Sequence, residues 1–120
     1  MKIIFFILIL SVSVEAYAQQ RIRFQTGQTK TTVAGSLKGI SDEACYVLKA
    51  AKGQNMKIDA SKSKGSVRVM VTSPSGEENG SPGGVEWENL PESGDYKICV
   101  EESPMGEKWR GKFYLEISVN

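Results

Sequence analysis

Apolar and polar residues alternate with a period of two in several short segments of this 120-residue chain. The clearest segment places Tyr96, Ile98 and Val100 on one side and Lys97 on the other. The longest places Phe113, Leu115, Ile117 and Val119 together. Successive side chains of a strand point to opposite faces, so each segment predicts a β-strand with one buried face. After residue 18, no segment shows apolar residues at helical spacing over three turns.

Shorter alternations recur between clusters of Gly, Pro, Ser and Asn, as is typical of strands separated by turns. The residues that share a face in these segments are Ile22 and Phe24; Val33 and Leu37; Tyr46, Leu48 and Ala50; Met56, Ile58 and Ala60; and Val67, Val69 and Val71. A short possible strand at 85–89 surrounds Trp87. Segment 73–84 carries almost no apolar residue, which predicts a solvated loop with a turn at Asn79-Gly80. Together these segments predict an all-β fold, a single antiparallel β-sandwich of about seven to eight short strands.

The N-terminal segment has the pattern of a secretory signal peptide. Met1 and Lys2 precede an apolar run, and Ala16-Tyr17-Ala18 supplies the small residues of a cleavage site. The run is shorter than the roughly 20 apolar residues that a membrane span needs. We therefore expect a signal peptide at 1–18 and one exported domain at 19–120, with no membrane anchor after cleavage.

The two cysteines, Cys45 and Cys99, are predicted to form a disulfide, because an exported chain meets an oxidising compartment. Two free thiols are the alternative. Both residues lie on the side of their strands opposite the bulky apolar residues. The bridge is therefore expected to join neighbouring strands of one sheet, unlike the immunoglobulin bridge, which crosses the core.

The composition argues against catalysis and against several classes of ligand. The chain has no histidine, which removes the commonest general base and zinc ligand. Its acidic residues lie in loops or at outward positions, and none has calcium-loop spacing. The formal net charge of +1 gives no case for nucleic acid or an anionic membrane as partner. We therefore expect a protein that is not an enzyme and has neither a metal nor a cofactor.

One polar segment stands out, the connection before the final strand. Lys108, Arg110 and Lys112 alternate there with Trp109 and Gly111. Such a loop could enter a cleft lined by carboxylates, because the arginine fork makes two parallel hydrogen bonds to a carboxylate. Alternatively, the three cations are a solvated edge that discourages strand-to-strand aggregation.

Several motifs, taken in order, resemble one protein family. They are Val33-x-Gly35-x-Leu37, Tyr46-x-Leu48-x-Ala50, Lys52-Gly53-Gln54-x-Met56, Ser73-Pro74-Ser75-Gly76, Leu90-Pro91-x-Ser93-Gly94-Asp95-Tyr96 and Phe113-x-Leu115-x-Ile117-x-Val119. Their order and spacing are similar to those of the periplasmic inhibitors of goose-type (g-type) lysozyme of Gram-negative bacteria. Those inhibitors share a β-sandwich plan with bacterial pre-peptidase C-terminal domains.

The resemblance implies a periplasmic binding protein, a monomer or weak dimer, that blocks the substrate cleft of a lysozyme with its basic loop. The family's binding surface corresponds to Tyr46 and to Lys108 and Arg110, with Trp109 and Lys112 in the same segment. Relatives tend to have adjacent arginines where this chain has separated cations. The parity of Tyr46 leaves both burial and exposure open.

Ser93 is a further candidate. A Ser-Gly-x-x-Tyr corner contributes to binding in other lysozyme inhibitor families, whereas this chain has Ser-Gly-x-Tyr, one residue shorter. Gly in such a corner permits a turn, and Ser can bond the backbone, which is a structural role for the same residues.

The alternative interpretation is a carbohydrate- or peptidoglycan-binding module of the pre-peptidase C-terminal type. Sugar-binding surfaces usually expose aromatic rings, and Trp87 and Trp109 are the available candidates. Core packing is the competing role for both rings.

Overall fold

The computed structural model describes residues 20–38, 42–63, 67–102 and 111–120. Within these ranges the chain forms nine strands and no helix: β1 (Gln20–Ile22), β2 (Lys30–Leu37), β3 (Glu43–Ala50), β4 (Met56–Asp59), β5 (Val67–Thr72), β6 (Glu78–Pro82), β7 (Gly84–Trp87), β8 (Gly94–Glu102) and β9 (Gly111–Val119). One sheet has the order β1-β3-β8-β5-β6 and the other β2-β9-β4-β7. The strands are antiparallel except for β1 and β3, which pair in parallel. The predicted all-β sandwich is confirmed.

The apolar faces predicted from the alternation meet between the two sheets. Tyr96, Phe113 and Leu115 are each 0 % exposed, and Trp87 packs edge-on against Tyr96 with 5.8 Å between ring centroids. The remaining core side chains include Leu48, Met56, Ile58, Val67, Val69, Val71, Leu90, Ile98, Val100 and Ile117. Burying an aliphatic or aromatic side chain of this size contributes about 1.5–3 kcal/mol, so this interior is the main source of stability.

The prediction of a solvated loop over 73–84 was wrong. It contains β6, which pairs antiparallel with β5, so that Val71 lies opposite Asn79. The turn comes earlier, where Ser73 N donates to Glu77 O at 2.8 Å. An edge strand held by backbone pairing needs no apolar alternation, so its sequence gives no strand signal. Gly80 lies opposite Met70 in this pairing, and its lack of a side chain leaves room for Met70, because a Cβ at position 80 would lie 2.7 Å from the Met70 methyl group.

The cysteines form the predicted disulfide. Cys45 on β3 lies directly opposite Cys99 on β8, with 4.1 Å between their Cα atoms, so the bridge joins neighbouring strands of one sheet. Cys99 is nevertheless only 7 % exposed, because Met70 lies beside it on the next strand. The outer face of this sheet therefore carries a row of three sulfur-containing side chains, of which Cys99 is buried and Cys45 and Met70 are partly buried.

The predicted signal peptide at 1–18 lies outside the described residues and stays a prediction. In the described ranges, no helix is long and apolar enough to cross a membrane.

We expect replacement of both cysteines by alanine to lower the free energy of unfolding by about 2–4 kcal/mol, because the bridge closes a long loop in the unfolded chain. The two cysteines are 54 residues apart in sequence. Urea unfolding of the double variant and the oxidised parent measures the difference, with the reduced parent as control. Equal stability of parent and double variant would show that the bridge adds nothing to the fold.

Candidate functional site

Two of the predicted site residues, Ser93 and Lys112, are exposed and lie near opposite ends of the sandwich. Ser93 precedes β8, whereas the basic segment begins after its last residue, Glu102. Eight residue steps at the rise of a strand separate those ends by roughly 25 Å. Lys112 belongs to the far end: it is the second residue of β9, and Leu37 pairs with the first. Ser93 and Lys112 therefore lie near opposite ends of the sandwich.

The link between β2 and β3 shows which elements share the end with Lys112. Lys38 N, just after β2, donates to Asp42 Oδ2 at 2.8 Å, just before β3. Asp42 Oδ1 also accepts a hydrogen bond from Glu43 N at 2.8 Å. Glu43 in turn lies opposite Glu101 near the end of β8. The start of β9, the start of β3 and the end of β8 therefore lie together.

Ser93 belongs to a corner that ties loops together. Tyr96 Oη donates to Glu92 O at 2.6 Å, and Ser93 Oγ accepts a hydrogen bond from Lys52 N at 2.8 Å. The Glu92 carboxylate accepts from both the backbone and the hydroxyl of Ser75, which lowers the pKa of Glu92 below its ordinary value. Although Ser93 is exposed, its hydroxyl has this structural partner.

Tyr46 is a core residue. Its side chain is 5 % exposed and packs edge-on against Phe113 of the opposite sheet, with ring centroids 6.5 Å apart. Burial raises the pKa of the Tyr46 hydroxyl above its ordinary value. The sequence pattern left both burial and exposure of Tyr46 open, and the structure shows it buried in the core with Leu48 and Ala50. Tyr46 can therefore influence a binding surface only indirectly, by supporting the packing of β3 against β9.

Gly35 makes room for Tyr46, a role that its place in the motif Val33-x-Gly35-x-Leu37 does not reveal. A Cβ at position 35 would lie 2.5 Å from Tyr46 Oη and would also collide with the Phe113 ring. A glycine within an alternating strand is a recognised sign of close approach by a neighbouring group. That sign was present in β2, but only the structure identifies Tyr46 and Phe113 as the neighbours.

The basic segment is described only in part. Lys108, Trp109 and Arg110 lie outside the described residues, whereas Lys112 is exposed on β9 opposite Ser36. Elsewhere in the described ranges, Arg21 makes a bidentate contact with Asp95 at 2.8 and 3.1 Å. The Arg21 hydrogen bonds lower the pKa of Asp95. No ion pair involves Lys112 within the described part of the chain.

Two other features can be compared with ligand sites. Glu43, Cys45 and Cys99 bring a carboxylate oxygen and two sulfur atoms within 4.8 Å of one another, but the sulfurs are bonded to each other and provide no thiolate. Two cavities of about 380 and 410 Å³ lie against the second sheet and share Lys57 and Asp59. Their described linings contain no aromatic ring on which a sugar could stack.

Comparison with solved structures identifies proteins with the same fold. The structure of PliG from Aeromonas hydrophila, a periplasmic inhibitor of g-type lysozyme, matches with a TM-score of 0.67 and 24 % identity over 85 % of this chain and 96 % of that one. PliG from Salmonella Typhimurium matches with a TM-score of 0.64 and 18 % identity over 86 % and 99 %. This chain has the fold of these inhibitors. A PliG mutant from Escherichia coli gives a TM-score of 0.63 at 20 % identity, over 86 % and 100 % of the two chains.

The PliG fold is shared more loosely with a second class. The pre-peptidase C-terminal domain of a Bacillus anthracis collagenase matches with a TM-score of 0.52 and 19 % identity over 86 % of this chain and 95 % of that one. No protein-family model matches the sequence, and no curated protein matches it. The structural matches therefore establish that this chain has the PliG fold, and the sequence identities of 18–24 % do not by themselves assign its function.

We expect Tyr96→Phe to lower the free energy of unfolding by about 1 kcal/mol or more, because Glu92 O loses its hydrogen-bond donor. Tyr114→Phe, which removes a hydroxyl from the outer face of the other sheet, is the matched control. Thermal and urea unfolding measure both variants. Equal effects of the two substitutions would contradict the assignment of the corner.

We expect Gly35→Ala to destabilise the protein by about 1–3 kcal/mol, because the added methyl group displaces the Tyr46 and Phe113 rings. Ser36→Ala, one position along β2 and facing outward, controls for changes in the strand itself. Urea unfolding gives the stability of both. The near-ultraviolet circular dichroism of Gly35→Ala should also change, and an unaltered spectrum would argue against displaced rings.

Proposed function

We propose that this chain is a periplasmic protein inhibitor of g-type lysozyme, and that its basic segment blocks the cleft in which the lysozyme binds peptidoglycan. The supporting observation is the extent of the structural match. About 85 % of this chain covers 96–100 % of three PliG structures, so it corresponds to essentially the whole of an inhibitor. The missing histidine and the exported character of the sequence agree with a binding role in the periplasm.

The proposed contact depends on charge. A cleft that hydrolyses glycosidic bonds carries carboxylates, and an inserted guanidinium would form charge-assisted hydrogen bonds there with little competition from water. Lys112 is exposed at the end of the sandwich where the basic segment joins β9. In this proposal Arg110 and Lys108 make the contact, Trp109 and Lys112 flank it, and Ser93 does not participate because it lies near the opposite end of β8.

The carbohydrate-binding alternative has less support. Trp87 is 9 % exposed and packs against Tyr96, so it offers no face to a sugar. Of the two aromatic candidates only Trp109 is left, and one ring within a basic segment is a small platform. The collagenase domain also matches less well than the three PliG structures.

The purified chain should inhibit a g-type lysozyme at near-stoichiometric ratio, and Arg110→Ala should raise the inhibition constant by about tenfold to 100-fold through loss of a central charged contact. Arg23→Ala is the matched control, because Arg23 is exposed just after β1, whose pairing with β3 places it at the end of the sandwich opposite Lys112. Turbidity assays on peptidoglycan with increasing inhibitor measure both variants.

Chicken-type and invertebrate-type lysozymes, tested in parallel, show the class specificity. Inhibition of another class alone would reject the g-type assignment. Absence of any inhibition, with binding to peptidoglycan in a pulldown, would favour the carbohydrate-binding module. An unchanged inhibition constant for Arg110→Ala would show that another residue makes the central contact with the lysozyme.

A further inference from the structure

Strand β2 is a long, exposed sheet edge without the features that usually prevent edge-to-edge pairing. It has eight residues, contains no proline, and carries a charge only at its first position, Lys30. Its pairing with β9 is unbroken over all eight residues, so no bulge twists it away. Edge strands of natural monomers are usually short, charged, bulged or interrupted by proline.

The other three edges of the described sandwich are protected in these ways. β1 has three residues and β7 has four, while β6 ends in Pro82. β2 is the longest of the four edges, and among the described strands only β9 pairs with it, so one side of its backbone faces no described strand. Outside this pairing, no backbone hydrogen bond between described residues involves positions 30–37.

The interior beside β2 is also incompletely covered. Val33 on its inward face is only partly buried, as are Phe24 before the strand and Ala44 on β3. By contrast, the inward residues of the adjacent β9 are at most 6 % exposed. An additional strand beside β2 would therefore bury apolar side chains as well as pair the free backbone groups.

We propose that β2 pairs antiparallel with β2 of a second copy of this chain, joining the two four-stranded sheets into one continuous sheet of a symmetric dimer. A two-fold axis perpendicular to the sheet keeps inward residues opposite inward residues. The axis must then pass midway between the two copies of one residue, which lie opposite each other. The residues at the centre of β2 that could take this position are Val33 and Ala34.

Charge selects between these two registers. Centring on Ala34 places Lys30 opposite Lys38 of the other copy, and like charges directly opposite are destabilising. Centring on Val33 places Lys30 opposite the neutral Ser36 and brings the two partly exposed Val33 side chains together. The second register removes the repulsion and gains the apolar contact, so it is the one we assign.

Sedimentation of the unmodified, disulfide-bonded chain tests the dimer without any variant. A single pair of edge strands buries a small area, so we expect a dissociation constant on the order of 10–100 μM. A monomer at all concentrations up to several times that range would overturn the proposal. A concentration-dependent dimer supports it.

Two cysteine variants test the register. Val33→Cys places two sulfurs across the axis, within the Cα separation of about 4.5–5.5 Å that a disulfide requires. Ala34→Cys is the control, because its Cα atoms would lie roughly 8 Å apart in this register, beyond the reach of a bridge. Mild oxidation should convert V33C to covalent dimer at least about tenfold faster than A34C.

Non-reducing mass analysis reads the product, and peptide mapping checks that Cys45 still pairs with Cys99. Faster cross-linking of A34C, or equal slow cross-linking of both variants, would overturn the proposed pairing. None of these measurements involves a lysozyme. Failure of the dimer is thus distinguishable from failure of the proposed inhibitory function.

Discussion

The register between β3 and β8 determines the position of every residue that the candidate function involves. Eight residue pairs, from Glu43 with Glu101 to Ala50 with Gly94, align the two central strands of the larger sheet. A slip of one residue would move each inward side chain to the outer face. The same alignment places Cys45 opposite Cys99, and the disulfide then covalently prevents the slip. The hydrophobic effect and the bridge thus specify the same register.

This register also separates the two ends of the molecule. One end carries the corner in which Ser93 and Glu92 hold three loops together through hydrogen bonds with Lys52 and Ser75, while Tyr96 donates to the Glu92 carbonyl. The other end leads into the basic segment and Lys112. A corner satisfied by its own chain leaves few groups for a partner, whereas exposed cations at a loop can exchange water for carboxylates. The structure therefore divides stability and proposed binding between opposite ends of the sandwich.

The long sides of the sandwich are also unequal. β6 and β7 are joined through Gly83, whose backbone bonds both Ala60 and Val67 and so closes one side. The opposite side carries the three-residue β1 and the exposed β2. Because β1 covers little, the interior near Val33 remains partly open to solvent. Self-association at this side would leave the basic end of each copy available to a second partner.

Alternation of apolar and polar residues by itself determined the all-β class and the inward faces of β5, β8 and β9, and the count of two cysteines left one possible pairing. These properties depend on local periodicity and on counting. The sequence could not reveal β6, because an edge strand is held by the backbone of β5 and needs no apolar face. It left Tyr46 undecided, because only packing of the two sheets brings Phe113 and the space above Gly35 to its ring. Tertiary structure alone also placed Ser93 far from Lys112, since that distance is the length of a strand and the order of the motifs does not show it.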